Sequence, residues 1–90
     1  MNKKKLLTHI ISNQKNIKYN DFVTLIKAFG FELDRSNGSH NIYFNSEINK
    51  QINIQNIKGE AKPYQIKQFL KLVESNNLRL NSEEEESENA

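Results

Sequence analysis

Apolar residues recur along this chain at two different periods, and the changes of period mark its elements. Over residues 3–12, Leu6, Leu7, Ile10 and Ile11 fall on one face of a helix. Lys3, Lys4 and Lys5 crowd its N-terminus, where the helix dipole disfavours cations. Residues 13–18 are polar and read as a connection. A stronger helix follows over 20–29, with Asn20 as its expected N-cap and Asp21 in its first turn. Phe22, Val23, Leu25, Ile26 and Phe29 supply its apolar face, and Gly30 stands where a left-handed residue commonly closes a helix.

After Gly30 the period shortens. Residues 31–35, 40–44 and 51–57 read as three strands. Ser36-Asn37-Gly38 forms the first turn, since Asn-Gly is a strong hairpin signal, and residues 45–50 form the second. In the third strand Ile52 and Ile54 alternate with polar neighbours and the phase slips at Ile57, which predicts a bulge or the strand's end. Residues 58–62 read as a loop around Gly59. Pro63 then suits the first position of a helix. Ile66, Phe69, Leu70 and Val73 recur at i, i+3, i+4 and i+7, and Asn76-Asn77 closes the helix, with Leu78 and Leu80 expected to tuck back. The order is α-β-β-β-α with an extra helical segment in front. This is an α+β fold in which the helices cover one face of a three-stranded antiparallel sheet.

Ninety residues suffice for one small domain, expected over 1–81 with its core in 20–76. A shallow cleft is more plausible in it than an enclosed cavity. The segment 82–90 holds five glutamates and no large apolar residue, and is expected to be a disordered acidic tail. The net charge of +2 conceals an asymmetry. Without those five glutamates, 13 basic residues face six acidic ones, which favours a polyanion as partner. No cysteine is present, so disulfides, thiolate nucleophiles and cysteine-ligated zinc are excluded. No apolar run nears the roughly 20 residues of a membrane span, and the protein is expected to be soluble and cytoplasmic.

Gly38-Ser39-His40 is the most informative phrase. A tight turn fixes the backbone of the residue that opens the next strand, and that residue is the one whose ordinary pKa, about 6.5, suits proton transfer near neutrality. Strict alternation sets His40 on the face of Ile42 and Phe44, at the margin of a buried surface. Alternatively Tyr43 faces the core and the phase is reversed; the sequence leaves both open. Ser39 is better placed to steady the turn or contact a phosphate than to act as a nucleophile. Lys58, Lys62, Lys67 and Lys71 gather around the last helix, with Tyr64 near the face of Lys67. They could track a phosphate backbone while the tyrosine stacks a base, or form an ordinary solvated face. His9 reads as a helix-edge residue without a role. Two histidines 31 residues apart make a poor metal site, and no metal or cofactor is expected.

The run Asp21-Phe22-Val23-Thr24-Leu25-Ile26-Lys27-Ala28-Phe29-Gly30-Phe31-Glu32-Leu33, followed by Arg35 and Gly38-Ser39-His40, resembles the HicA family of toxin–antitoxin mRNA interferases. Residues 58–66 also look like a branch of that family. Where many members carry Pro-x-His after the third strand, this chain has Ile57-Lys58-Gly59. The resemblance implies a double-stranded-RNA-binding-domain-like fold and a ribosome-independent endoribonuclease that cleaves mRNA and stops translation. It also implies a HicB-like antitoxin as partner, and it makes His40 the catalytic histidine, with Gly38 and Ser39 as its turn. From the residues themselves, Lys58, Lys62, Tyr64, Lys67 and Ser39 are the candidate RNA contacts. A non-catalytic RNA-binding module, or a domain whose basic face meets an acidic protein, would use the same basic surface.

Overall fold

The computed structural model describes residues 2–80; the acidic run expected as a tail lies outside them. Three helices, α1 (Lys3–Ser12), α2 (Tyr19–Ala28) and α3 (Pro63–Ser75), accompany four strands, β1 (Glu32–Asn37), β2 (His40–Asn45), β3 (Lys50–Ile57) and β4 (Glu60–Ala61). The sheet is antiparallel in the order β1-β2-β3-β4. This is the expected α+β, double-stranded-RNA-binding-domain-like order with its N-terminal helix. A short fourth strand is added where a loop was expected. Lys58 and Gly59 turn the chain with φ of 53° and 87°, the doubly left-handed geometry of a tight hairpin, and so bring Glu60-Ala61 back onto β3.

Phe69 of α3 is the centre of the core. Its ring meets those of Phe22, Phe29 and Phe31 edge to face, with centroids 5.6–5.8 Å apart. Leu25, Ile26, Ile52, Ile54 and Ile66 close around them, and Leu6 and Ile10 of α1 extend the core beyond α2. Leu78 and Leu80 pack back against it as expected.

The helix ends follow the sequence in part. At the end of α2, Gly30 is left-handed with φ of 92°; its N–H reaches the Lys27 carbonyl and that of Phe31 reaches Ile26. This is a Schellman closure. Asn77, with φ of 52°, closes α3 the same way through Leu78 N–H and the Val73 carbonyl. The start of α2 differs from expectation. The helix begins at Tyr19 with Lys18 as N-cap and no side-chain cap, so Asn20 is not the cap. Tyr19 N–H instead donates to the Gly59 carbonyl at 2.8 Å, and Ala61 N–H to the Ile17 carbonyl at 2.9 Å. Tertiary docking on the β3–β4 hairpin replaces the local cap.

The hairpin loop between β1 and β2 is Gly38-Ser39, with Asn37 still paired to His40. Gly38 takes φ of 64° at the first loop position, the place a type II′ turn reserves for glycine. The bulge lies in β1, at Asp34 between Leu33 and Arg35, and not in β3. β3 stays paired until Ile57, so the slip there marks the strand's end. β1 forms the free edge beyond the cover of the helices. Leu33 shares the core side with its partner Tyr43 and is still 52% exposed.

Asn45 holds the second turn to α2. It is 2% exposed; its amide donates to the Phe29 carbonyl at 3.1 Å, and its Oδ1 accepts from the Glu47 and Ile48 N–H groups. Asn45→Ala strands those groups and is expected to destabilise the fold by about 1–3 kcal/mol in urea denaturation. Tyr19 and Tyr43 meet on the inner side of the sheet. Burial first, and then the neighbouring Tyr43, push the Tyr19 phenol up to about 12; burial also raises Tyr43. An unfolded tyrosine releases its proton near pH 10, so the stability Tyr19 contributes is complete below about pH 10 and is lost as pH climbs through about 12. Tyr19→Phe should therefore show a smaller fall in urea midpoint than the wild type between about pH 9 and pH 12.

Candidate active site

The strand phase decides where His40 stands. Tyr43 pairs with Ile52 and both are buried, so the reversed phase is the one the protein adopts. His40, Ile42 and Phe44 therefore face away from the helices, and the imidazole is exposed. Their partners on β3 are Gln55, Asn53 and Gln51. The outer face thus carries three amides in a row beside the histidine.

Two of those amides hold the ring. Nδ1 of His40 lies 3.3 Å from Oδ1 and 3.1 Å from Nδ2 of Asn53, and Nε2 lies 3.3 Å from Nε2 of Gln55. Gln55 is held in turn by Gln65 in the first turn of α3. Gln65 Oε1 accepts from the Gln55 backbone N–H at 2.8 Å, and Gln65 Nε2 donates to Gln55 Oε1 at 3.2 Å. Gln65 is 5% exposed, and the same Nε2 also reaches the Tyr64 hydroxyl at 3.4 Å. The Tyr64 ring lies under the Lys62 ammonium, 5.3 Å from centroid to Nζ. A continuous set of contacts therefore runs from His40 to Lys62.

Among the expected residues, the structure joins His40, Tyr64 and Lys62 in this set. Ser39 occupies the second loop position beside His40, and its carbonyl accepts from the Asn41 amide at 3.4 Å. Lys58 sits exposed in the β3–β4 turn and Lys67 on the exposed side of α3. Among the described residues no hydrogen bond ties their side chains to the histidine. Asn53, Gln55 and Gln65 carry the site's polar contacts, yet the sequence assigned them no part. The available signal was the alternation of Gln51, Asn53 and Gln55 with two isoleucines, which became meaningful only once His40 was known to pair with Gln55.

Among the described residues no carboxylate contacts the ring. The Asp34 carboxylate is paired with Arg35 at 2.6 Å on the exposed edge strand. Among the described residues no three histidine, cysteine, aspartate or glutamate side chains gather as a metal would require, and no helix is long and apolar enough to cross a membrane. The chemistry available at this place is that of one solvent-reached imidazole, neutral amides, a phenol and nearby ammonium groups.

Fold and site together define a small α+β protein of double-stranded-RNA-binding-domain-like order that displays a histidine on the open face of its sheet. Residues 19–74 match the family described as HicA toxin of bacterial toxin-antitoxin, and the chain belongs to that family. Among curated proteins and solved structures nothing matches it.

Proposed function

We propose that this protein is the toxin of a type II toxin–antitoxin pair and acts as a ribosome-independent, metal-independent endoribonuclease on single-stranded mRNA in the cytoplasm. The observation that carries the reading is an exposed imidazole, fixed at the start of β2 by a tight turn and by amides, in a chain of the HicA toxin family. His40 is the catalytic residue. It transfers the proton as the 2′-oxygen of a ribose attacks the adjacent phosphorus. The bond to the 5′-oxygen breaks, and a cyclic phosphate remains on the upstream fragment. Acid–base catalysis by one group accounts for about 10²–10⁴-fold in rate.

The surrounding residues bind the substrate. Lys62, with its ammonium over Tyr64, and Lys67, five residues further on, hold the phosphates and stabilise their developing charge. Lys58 extends that basic margin on the β3–β4 turn, and the Ser39 hydroxyl contacts phosphate beside the histidine. Tyr64 is 58% exposed and supplies a ring on which a base stacks. A HicB-like antitoxin silences the protein by covering the outer sheet face around His40. The domain spans 1–81, with its core in 20–76.

Purified protein is incubated with single-stranded RNA in EDTA. The wild type is expected to cleave it, and His40→Ala to cleave at least about 100-fold more slowly while keeping its denaturation midpoint. Equal cleavage by the variant rejects the mechanism, and a salt-sensitive gel shift without product leaves a non-catalytic RNA-binding module in its place. Lys62→Ala and Lys67→Ala are each expected to weaken RNA binding and to reduce the slope of log K against log salt by about 0.7.

A further inference from the structure

The set of amides beside His40 has a direction, and one donor-only group sets it. The backbone N–H of Gln55 can only donate, so the Gln65 atom 2.8 Å from it must be the oxygen, Oε1. The other end of that amide is then NH₂. It faces Gln55 at 3.2 Å, so the Gln55 atom there must be its oxygen. That leaves the NH₂ of Gln55 directed at His40 Nε2, 3.3 Å away. A neutral imidazole can accept only at its bare nitrogen. Asn53 offers Nδ1 an oxygen at 3.3 Å as readily as a nitrogen at 3.1 Å, so it accommodates either tautomer and decides nothing.

We propose that Gln65 acts through Gln55 as a positioning residue that fixes His40 as the Nδ1–H tautomer, with Nε2 presented as the general base. The Nδ1 proton goes to Asn53 Oδ1. The Nε2 lone pair is held in place by a long contact to Gln55, which an incoming 2′-hydroxyl replaces with its own stronger hydrogen bond. Nε2 then takes the hydroxyl proton as the oxygen–phosphorus bond forms and the bond to the 5′-oxygen breaks, the departing oxygen receiving its proton from water. Gln65 touches neither ring nor substrate. It is buried, on a different element from the histidine, and reaches the ring through the polarity it imposes on Gln55.

The base role rests on the nuclease reading, whereas the tautomer does not. Two-bond ¹H–¹⁵N spectra of the ring, recorded on the whole protein at about pH 8, assign the proton directly. The wild type should show the His40 proton on Nδ1; a proton on Nε2 overturns the proposal without any variant. Gln65→Glu keeps an acceptor for the Gln55 N–H and turns the second end into an acceptor as well. Gln55 must then flip and offer its oxygen to His40, so the proton should move to Nε2. An unchanged tautomer in a folded Gln65→Glu protein also overturns the proposal. In the cleavage assay the same variant should lose at least about tenfold in kcat with KM near the wild-type value. A wild type that shows the Nδ1–H ring and cleaves no RNA removes the nuclease reading and leaves the positioning intact.

Discussion

Tyr43 and Ile52 face one another across β2 and β3, and their shared place in the core fixes the side on which every other residue of those strands lies. A strand has a period of two, so a slip of one residue would exchange the faces completely. Several features hold the phase. Asn45, two residues beyond Tyr43, is tied into the end of α2 and the second turn. The Gly38-Ser39 loop fixes the other end of β2 against β1. Ile52 and Ile54 give the part of β3 that pairs with β2 a single apolar side, and the pairing carries that choice into β2. With Tyr43 inward, His40 is outward, and the candidate chemistry lies on the open face.

Much of the fold was legible because the signals were local. The stripe Ile66, Phe69, Leu70, Val73 and the closures at Gly30 and Asn77 need only nearby residues to act, and the structure follows them. The phase of β2 was not legible, because Ile42, Tyr43 and Phe44 are all plausible core residues and the deciding partner lies on another strand. The same holds for the cap of α2. Asn20 has the right chemistry, but a carbonyl from Gly59 reaches the helix first. The β1 bulge and β4 also depend on pairing, which a polar run such as Glu32–Asn37 does not disclose.

The candidate site divides along the same line. His40 was visible through its turn, and Lys62 and Tyr64 through their nearness to the start of a helix. Asn53, Gln55 and Gln65 were not, since an amide in a strand is an ordinary solvated residue until its neighbours are known. Carboxylates or cysteines at motif spacing would have announced themselves. A histidine oriented by neutral amides has no such signature, and only register reveals it.

The shortness of β4 connects the fold to this chemistry. β3 pairs with β4 only at Asn56 and Ile57, because Pro63 turns the chain into α3 two residues after Ala61. The Gln55 N–H therefore lies on a strand edge with no backbone partner beyond it. Such an edge demands an acceptor from elsewhere. Gln65 supplies it from the first turn of α3 and is buried in doing so. Once its oxygen is committed to the backbone, its nitrogen is committed to Gln55, and Gln55 to His40. The need to satisfy one orphaned backbone donor at a sheet edge thus reaches the imidazole with its polarity intact. A longer β4 would have satisfied that N–H with a carbonyl and left both glutamines, and with them the ring, free to turn either way.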